Sequence, residues 1–570
     1  MNKVFPVYTV EAECQDCYKC LRQCPVKAIK VEKGRAAVIP DACIACGRCV
    51  EVCPAGAKRI RDDLGRVQYL LSRKAKVFVS LAPSYPAAFP GVAPGALVAA
   101  LKKLGFEGVS ETALGAELVN QAVSELLGRN ERAVTLSTAC PVAVDYIRKY
   151  IPDMTDAFTP IVSPMLAHGQ FLRRSYGEDI GVVFVGPCIA KKSEADECRQ
   201  WVDAALTFED LLRWLDEEDL ALDADVPDGM DNPFVPHSAG DGALYPVAGG
   251  MNETLRSLLG DSSTRLLSVA GLNNIKHALE GFRLRPPVEP VFLELLACSG
   301  GCLGGPCVEK ENTLGGELDI RRHVPCAASV SETQVPNLNR QFVSCDPPES
   351  PVESSQVRMA LARIGKRTAE DEINCGGCGY DTCRAFALAV LAGRAEPSMC
   401  VSNLRKKAQR KANALLRSMP SGVVIADSNL RVVECNENLA RMFGGDLLLG
   451  YQARPGLEGV DLRKVVPFPE IFQRVLDSGQ EQHRDIIHID ERLISLTVFS
   501  IEPHETVGGI LLDVTSAELR REHIATRARE VIDKNLATVQ ELAFKLGEHM
   551  ADTEILLRSI AEDYVTERKP

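Results

Sequence analysis

The sequence predicts a multidomain protein of mixed α+β and α/β architecture, and three observations lead to this prediction. The chain has 570 residues, which at roughly 150 residues per domain implies several domains. In its middle part, β-branched runs alternate with amphipathic stretches, the pattern of an α/β sheet with helices on its faces. Its 21 cysteines are concentrated before residue 55 and again between Cys375 and Cys400, which indicates small metal-binding domains.

Composition and charge argue against two classes of protein. The net charge is −12 and 25% of the residues are charged, so the chain offers no long basic surface to a nucleic acid. No apolar run approaches the roughly 20 residues of a membrane helix. The first residues, MNKVFPVYTV, lead straight into charged and cysteine-bearing sequence, unlike a signal peptide. We therefore expect a cytoplasmic protein whose clustered cysteines bind metal and do not form disulfides.

The first segment, residues 1–70, contains one cysteine motif twice, with the spacing C-x2-C-x2-C-x3-C-P. In this arrangement three closely spaced thiolates hold one iron–sulfur cubane, and the fourth cysteine crosses to the other cubane. Zinc, which prefers two separated C-x2-C pairs, and disulfides are the alternatives. The segment resembles bacterial two-cluster ferredoxins, which implies two 4Fe–4S clusters and one-electron transfer. The first set is Cys14, Cys17, Cys20 and Cys53, and the second set is Cys43, Cys46, Cys49 and Cys24.

The middle domain, residues 75–330, carries three separated cysteine motifs. β-branched runs lie at 76–80, 132–137, 180–185 and 289–296, and three of them end near a cysteine. The motifs are STACP at 137–141, GPCIAKKSE at 186–194 and ACSGGCLGG at 297–305. Ligands of open α/β folds collect at the carboxyl ends of strands, so we expect one more cluster there. The cysteines available to hold it are Cys140, Cys188, Cys298 and Cys302.

These motifs resemble the three H-cluster motifs of FeFe hydrogenases, TSCCP, MPCxxKxxE and ExMACxxGCxxGG, and the resemblance covers residues 1–330. It implies an H-cluster, with a 4Fe–4S cubane on the four cysteines. A diiron unit carrying CO, cyanide and an azadithiolate would be bridged through Cys302. The resemblance also implies that Lys191 donates a hydrogen bond to a cyanide and that Glu194 pairs with a nearby lysine or supports its loop. Structural thiols without a cluster are the alternative.

Several positions depart from the family motifs in ways that bear on proton transfer. Ala139 stands where the family has a proton-passing cysteine, and a methyl group cannot transfer a proton. The segment 82–104 matches a family segment that carries a proton-path glutamate, but it contains no Asp or Glu. Gly186, beside the retained Pro187, and Leu296 replace methionines of the diiron pocket. These changes resemble the sensory branch of the family and imply slow turnover; another proton route, for example through water, is the alternative.

A linker at 331–360 is expected to precede a fourth cysteine set within residues 361–410. The spacing is C-x2-C-x4-C, with a distant fourth cysteine after a short helix. It resembles the small 4Fe–4S domain of corrinoid iron–sulfur proteins, which implies one further 4Fe–4S cluster that extends the electron chain toward the C-terminus. A zinc site is the alternative. The ligands would be Cys375, Cys378, Cys383 and Cys400.

Residues 411–517 resemble a PAS domain. The segment SMPSGVVIADSNLRVVECNENLARMFG predicts a strand, a tight Asp-Ser-Asn turn, a second strand and a helix capped by asparagine. Two later alternating segments predict the strands that complete the sheet. His483, His488 and His504 are interpreted as surface residues, with haem ligation as the alternative. Cys435 is interpreted as a packed thiol, with a redox thiol as the alternative.

The tail, residues 518–570, has apolar residues at alternating spacings of four and three, which predicts a coiled-coil seam. We interpret it as a transmitter helix that pairs with a copy of itself or with a separate output protein. A helix packed back on its own chain is the alternative. The seam positions are Ile532, Leu536, Val539, Ala543, Leu546, Met550, Thr553, Leu557, Ile560 and Tyr564.

The order of these parts predicts a sensory FeFe hydrogenase that oxidises hydrogen slowly and relays redox state through 4Fe–4S clusters to the PAS domain and its helix. Expected partners are hydrogen and protons, an electron donor or acceptor such as ferredoxin, and hydrogenase maturation proteins. A signalling phosphatase or kinase and a second copy of the chain are also expected, but no nucleic acid and no membrane. The alternatives are an active hydrogenase with a regulatory PAS domain and a diiron-free iron–sulfur relay.

Overall fold

The computed structural model describes residues 5–129, 132–222, 233–260, 262–308, 313–324, 336–345, 352–489 and 492–515, and 531–532, 534–543, 545–546, 550 and 553–558 of the tail. The chain divides into two compact units, residues 1–396 and 397–570. In the described residues, every helix is too short or too polar to cross a membrane.

The N-terminal part of the first unit is a small α+β layer around the paired cysteine motifs. Strand β1 pairs antiparallel with β4, and β2 pairs antiparallel with β3. Helix α1 carries Cys20 and helix α2 carries Cys49, the third cysteine of each motif, and each helix follows a residue in the left-handed conformation. The elements are β1 (Val7–Thr9), α1 (Lys19–Gln23), β2 (Ile29–Glu32), β3 (Arg35–Val38), α2 (Arg48–Glu51) and β4 (Lys58–Ile60).

The middle domain contains two parallel sheets where the sequence predicted one. The first has the strand order β6-β5-β8-β9 and the second β10-β11-β7. The four β-branched runs became β5, β7, β8 and β11. The elements are α3 (Leu64–Arg73), β5 (Val77–Leu81), α4 (Tyr85–Ala88), α5 (Pro94–Lys103), β6 (Gly108–Glu111), α6 (Ala113–Gly128), β7 (Val134–Leu136), α7 (Pro141–Tyr150), α8 (Pro164–Tyr176), β8 (Gly181–Gly186), α9 (Ala190–Glu197), β9 (Ala204–Thr207), α10 (Phe208–Glu217), α11 (Gly250–Leu259), β10 (Arg265–Ala270), α12 (Leu272–Leu284), β11 (Val291–Leu296) and α13 (Thr313–His323).

Burial of the central strands explains their composition. All six residues of β8 and all six of β11 are buried, because helices cover both faces of a parallel sheet. Such strands read as continuous apolar runs, which is why the sequence made them visible. The pairing of β7 with β11 and of β5 with β8 brings together residues far apart in the sequence. The division into two sheets depends on this long-range pairing, which local patterns do not encode.

The first unit ends with two short helices, α14 (Ser354–Arg363) and α15 (Cys383–Leu391). Helix α14 begins inside 331–360, the region expected to be a linker. Its buried residues Val357 and Leu361 lie on the face that a packed helix needs. Contacts between α14 and α15 join this helix to the fourth cysteine set.

The second unit contains an antiparallel five-stranded sheet in the order β13-β12-β16-β15-β14. Asn436, the predicted cap, accepts hydrogen bonds at Oδ1 from Leu439 N at 3.0 Å and Val423 N at 2.9 Å. The turn at Asp427 joins the first two strands, as predicted. The elements are α16 (Val401–Ser418), β12 (Gly422–Asp427), β13 (Val432–Cys435), α17 (Glu437–Phe443), α18 (Gly445–Ala453), α19 (Pro469–Ser478), β14 (Gln482–Ile489), β15 (Arg492–Glu502) and β16 (Thr506–Asp513).

The tail helix packs partly on this sheet. Leu536 and Val539 join a small apolar cluster with Leu416 and Phe499, and Asn535 Nδ2 donates to Ser421 Oγ at 3.0 Å. For these two seam positions the structure favours the alternative of a helix packed on its own chain. Further along, Leu546, Met550 and Leu557 are 45%, 66% and 60% exposed, so their side chains remain open to a partner. The seam positions Ile560 and Tyr564 lie outside the described residues.

Candidate functional site

Four cysteines lie on three loops at the carboxyl ends of parallel strands. Cys140 caps α7, Cys188 follows β8, Cys298 follows β11, and Cys302 lies in the short turn Gly301–Gly304. Burial and, to a smaller extent, the charge of the neighbouring Cys140 raise the pKa of Cys188 to about 11. Burial and the charges of Cys140 and Cys188 likewise raise the pKa of Cys302. The fold therefore brings the four predicted sulfur ligands within electrostatic range of one another.

The donor set and its surroundings fit a thiolate-bound iron–sulfur group. Four neighbouring, partly buried thiols are costly to ionise unless a positive core compensates them. A Cβ at Gly301 would lie 2.2 Å from Pro246 O, so glycine is needed where the loop carrying Cys302 is tightly folded. The glycines on either side of Cys302 therefore allow its loop to fold tightly against the surrounding backbone.

Lys191 and Glu194 form a buried ion pair beside Cys188. Lys191 Nζ lies 2.7 Å from Glu194 Oε2 and donates to Ser163 Oγ at 3.1 Å. Arg340 Nη1 lies 3.9 Å from Glu194 Oε1 on its other side. Of the two roles expected for Glu194, the structure places it as the partner of Lys191. The two bonds fix the ammonium at the start of α9, next to the thiol set.

Lys192 was not singled out from the sequence, although it is buried more deeply than Lys191. Its side chain is fully buried, with Nζ 2.7 Å from Asp210 Oδ2 and 3.4 Å from Asp63 Oδ2. Nζ also donates to Arg61 O at 2.8 Å. These partners tie α9 to α10 and to the segment before α3. Lys192 therefore holds the Cys188 loop in place, while Lys191 faces the candidate site.

The three departures from the family motifs are surrounded by hydrocarbon. Ala139 packs against the apolar core of the middle domain. A Cβ added at Gly186 would lie 2.6 Å from Phe184 Cζ and 2.7 Å from Ala82 Cβ, so these side chains already fill the space that a side chain would take. Leu296 is buried at the end of β11. None of the three positions offers a group that transfers protons.

Glu294 is a functional candidate that the sequence analysis missed. It is 2% exposed, and burial raises its pKa to about 7 despite backbone hydrogen bonds from Met251 and Asn252. Its Oε2 has no hydrogen-bond partner among the described residues. Its charge adds to the raised pKa of Cys302. A signal existed, since Glu294 is the single charge in the apolar run VFLELL.

The N-terminal cysteines fall into the two predicted sets. The pKa of Cys20 is raised to about 11, mainly by burial and in smaller part by Cys17, Cys14 and Cys53, with Lys58 opposing. Burial also raises the pKa of Cys49, with added effects of Cys46, Cys43 and Cys24 and a smaller one of Cys20. The fold thus brings Cys53 within electrostatic range of the first set and Cys24 within range of the second.

The second cysteine set faces the middle domain. A Cβ at Gly47 would lie 2.6 Å from Pro306 Cβ and 2.7 Å from Ile189 Cδ1, so only glycine permits this approach. Lys149 Nζ donates to Cys43 O at 2.7 Å. The Cys46 charge contributes to the raised pKa of Cys298, after burial and the other cysteines of the middle domain. These contacts place the second set next to the four cysteines of the middle domain.

The fourth cysteine set has three members in the first unit and one in the second. Cys378 and Cys383 are buried and Cys375 is exposed in the first unit. Asn374 Oδ1 accepts a hydrogen bond from Cys383 N at 2.7 Å, which orients the start of α15. Cys400 is the residue before α16 in the second unit.

The remaining candidate residues do not form a further site. His483, His488 and His504 are exposed; His483 Nδ1 lies 2.8 Å from Thr497 Oγ1, and His504 Nδ1 lies 2.8 Å from Leu476 O. Cys435 belongs to the apolar core of the second unit, and burial raises its pKa to about 12. These positions fit surface histidines and a packed thiol.

Comparison with family models assigns four segments of the chain. Residues 75–306 match the iron only hydrogenase large subunit, C-terminal domain. Residues 6–54 match the 4Fe-4S dicluster domain, residues 371–402 match an Fe-S family, and residues 411–478 match the PAS domain. The segments follow the order predicted from the sequence, which confirms the predicted fold class.

Relatives of known name carry the same middle domain. The chain is 28% identical over 346 residues to the NADP-reducing hydrogenase subunit HndD of Solidesulfovibrio fructosivorans, covering 48% of this chain and 59% of that protein. It is 26% identical over 367 residues to the periplasmic [Fe] hydrogenase large subunit of Nitratidesulfovibrio vulgaris, covering 53% and 86%. The chain thus spans less than two thirds of HndD.

A solved structure is also similar to part of the chain. A variant of the [FeFe]-hydrogenase HydA1 from Chlamydomonas reinhardtii matches with a TM-score of 0.36 and 21% identity, covering 45% of this chain and 87% of that one. The hydrogenase family model, the hydrogenase relatives and the PAS match all concern this one chain. The chain thus carries a domain of the FeFe hydrogenase family, together with 4Fe–4S domains and a PAS domain.

Proposed function

We propose that this protein is a sensory FeFe hydrogenase of low turnover. In this proposal it oxidises hydrogen slowly and reports the resulting redox state, through iron–sulfur clusters, to the PAS domain and the tail helix. The observation that carries the proposal is Ala139, a methyl group packed in the apolar core next to the ligand Cys140. The metal-binding residues are complete, while this position cannot pass a proton.

The chain's own residues bind and orient the cofactor. Cys140, Cys188, Cys298 and Cys302 would hold an H-cluster, which when bound supplies cleavage of hydrogen into two protons and two electrons. Lys191, fixed by Glu194 and Ser163, would donate a charge-assisted hydrogen bond to an anionic ligand. The buried surroundings exclude water and strengthen that interaction.

Proton removal is the step that these residues support poorly. Positions 139, 186 and 296 offer only hydrocarbon, and residues 82–104 contain no carboxylate. A positioned acid or base typically contributes about 10²–10⁴-fold to a rate. We infer a turnover lower by that order than in an enzyme with a complete proton path. Slow turnover with complete ligands suits a protein that equilibrates with hydrogen and does not consume it rapidly.

The second unit would deliver the signal. The exposed side chains of Leu546, Met550 and Leu557 form an apolar stripe at the tail, suited to a second copy of the chain or to a phosphatase or kinase. A signal requires two conformations with different affinity for that partner. The clustered thiols suit a reducing compartment, so we place the protein in the cytoplasm. Dedicated maturation proteins would insert the diiron unit.

The test combines infrared spectroscopy with the variant Ala139→Cys. In matured protein we expect CO and cyanide stretches that shift reversibly between nitrogen and hydrogen. Ala139→Cys should raise hydrogen turnover about 10²-fold or more, because it restores a transferable proton. The matched control is Ala100→Cys, which places the same thiol at another buried alanine, on α5. Equal turnover in Ala139→Cys and the unmodified protein would contradict the proposed loss of the proton path.

An active hydrogenase with a regulatory PAS domain is the second candidate, and Glu294 favours it. Its unpartnered Oε2 and its pKa near 7 make it a proton acceptor close to Cys302. Fast turnover in unmodified protein, lost in Glu294→Gln, would support this candidate. Cubane iron without any CO or cyanide band would instead identify a diiron-free redox relay.

A further inference from the structure

The segment that carries Cys375, Cys378 and Cys383 packs on the N-terminal iron–sulfur domain. Val31 N, on strand β2, donates to Arg394 O at 3.0 Å. Lys33 N donates to Glu396 Oε1 at 2.6 Å. The chain that follows α15 therefore runs along one edge of the β2–β3 hairpin, within the first unit.

The loop between Cys378 and Cys383 contacts helix α1. Gly379 has a φ of +89°, and a Cβ there would lie 3.0 Å from Leu21 Cγ and 3.6 Å from Arg22 Cγ. Glycine is required both by this conformation and by the close approach. Leu21 is completely buried. The contact lies on the helix that joins Cys20 to Cys24, and water is excluded from it.

Lys27 lies between two cysteine sets. Its Nζ donates to Arg22 O at 3.1 Å and to Leu21 O at 3.4 Å, at the end of α1. Its ammonium interacts electrostatically with Asp381, Cys24 and Cys378. Burial lowers the pKa of Lys27, and these anionic neighbours oppose that shift. One held cation thus acts on a ligand of the second set and on a ligand of the fourth.

Tyr380, on the segment that carries Cys378, lies in the same region as Lys27. It is 6% exposed, its ring packs on Phe386 with ring centroids 5.7 Å apart, and it interacts electrostatically with Cys378 and Cys24. Its hydroxyl has no hydrogen-bond partner among the described residues. The region between Cys24 and Cys378 is therefore filled by buried protein groups.

The first cysteine set has a different kind of contact with this segment. Glu396 acts electrostatically on Asp16 and Tyr18, which lie among the first-set cysteines. An anion disfavours the electron that a reduced cluster carries, whereas a cation such as Lys27 favours it. Lys58 likewise places a cation beside Cys20 of the first set, so the sign of charge alone does not choose between the two sets. Lys27 and Tyr380 both interact electrostatically with Cys24 of the second set, which makes that set the redox neighbour of the fourth.

We propose that electrons pass directly between the cluster site of Cys24, Cys43, Cys46 and Cys49 and that of Cys375, Cys378 and Cys383, with Lys27 as the positioning residue that couples them. One electron leaves one site, which is oxidised, and enters the other, which is reduced, with no bond or proton transferred. Because the second set also faces Cys298, it is the branch point between the middle domain and the PAS side. The inference rests on the proposed iron–sulfur relay, but it requires neither a diiron unit nor hydrogen.

The first test is a redox titration followed by electron paramagnetic resonance, on the full chain reconstituted with cubanes alone. Lys27→Met removes the shared cation, so the midpoint potentials of both clusters should fall. The expected shift is roughly a tenfold change in the reduced-to-oxidised ratio at fixed potential, about 59 mV for a one-electron couple. Lys33→Met is the control, because it removes an exposed cation and keeps the backbone bond to Glu396. A shift in only one cluster, or in neither, would overturn the coupling.

The second test identifies which N-terminal cluster is the neighbour of the fourth cluster, and it leaves Lys27 unchanged. The reduced fourth cluster should show spin–spin broadening that disappears in Cys46→Ala, which removes a second-set ligand. The same broadening should persist in Cys17→Ala, which removes a first-set ligand. Iron and sulfide contents establish which clusters each variant retains. The reverse pattern would assign the first set as the neighbour and overturn the proposal. Neither test depends on a hydrogen response, so failure of the sensory function remains distinguishable.

Discussion

Two groups of residues in the middle domain differ in how closely they match the FeFe hydrogenase motifs: the predicted cofactor-binding residues, and positions 139, 186 and 296 beside them. Four cysteines, Lys191 and Glu194 are all present, and the second N-terminal set approaches them through Gly47. Positions 139, 186 and 296 have instead become hydrocarbon. Electron transfer needs the first group of residues and proton transfer needs the second. In the proposed function, the difference means that one domain keeps the residues for electron transfer while it lacks the groups that make proton transfer fast.

The largest effect is expected when a predicted cofactor ligand of the middle domain is removed. Cys302→Ala should abolish every CO and cyanide band in the infrared spectrum, because Cys302 would bridge the two parts of the cofactor. The electron paramagnetic resonance signals of the N-terminal clusters should remain. Cys307→Ala removes another buried thiol nearby and should keep the bands. Bands that survive in Cys302→Ala would disprove the assigned ligand set.

A smaller effect is expected when Lys191 loses its partner. Glu194→Gln leaves the shape of the side chain but removes the charge that fixes the ammonium at 2.7 Å. We expect the cyanide stretches to shift and hydrogen turnover to fall roughly tenfold, as is usual when a residue that supports a ligand is changed. Glu197→Gln is a suitable control, since Glu197 is half exposed on the same helix and pairs with Arg340 at 3.2 Å. An unchanged spectrum in Glu194→Gln would show that Lys191 is held by other groups.

His168 sharpens the comparison, because it is a titratable group that the fold keeps out of proton transfer. It is completely buried between Ser80 Oγ at 2.7 Å and Ser110 Oγ at 2.9 Å. Burial lowers its pKa to about 3, so it stays neutral at ordinary pH. Since the unfolded chain binds this proton below about pH 6.5, stability should fall as the pH drops from 6.5 toward 3, by at most about 1.4 kcal/mol per pH unit.

The measurement is thermal unfolding as a function of pH. His168→Gln should flatten the curve between pH 6.5 and 4, whereas His277→Gln, which changes an exposed histidine, should not. Hydrogen turnover in His168→Gln should keep the pH profile of the unmodified protein. A changed turnover profile would place His168 on a proton route after all.

The smallest effect is expected in the second unit, where Asn436 holds the PAS fold. Asn436→Ala removes the helix cap and leaves Val423 N, Leu416 O and Ser421 O without their partner. Loss of a cap costs about 0.5–2 kcal/mol. We expect earlier thermal unfolding of the second unit and unchanged infrared bands. Asn429→Ala, at an exposed turn position, should have a smaller effect.

Local patterns predicted much of this molecule. Neighbouring residues in the sequence determine the apolar runs of β8 and β11, the cap at Asn436 and the cysteine spacings. The electrostatic interactions of Lys27 with Asp381 and Cys378 are not determined in this way, because they join segments about 350 residues apart. The same holds for the division into two sheets and for the packing of Leu536 and Val539 on the PAS sheet. Lys192 needed the fold as well, since only burial separates it from an ordinary surface charge.

Helix α16 connects the predicted ligand Cys400 to the sheet of the second unit. It begins directly after the predicted ligand Cys400 and has 18 residues, which makes it about 27 Å long. At its far end, Leu416 O accepts a hydrogen bond from Asn436 Nδ2 at 3.0 Å, and the same side chain is bonded to strand β12. The helix is therefore held to the sheet at one end and joined to the predicted ligand Cys400 at the other. A small displacement of the Cys400 sulfur would be transmitted through α16 and would translate or rotate the end of the helix that is bonded to the sheet.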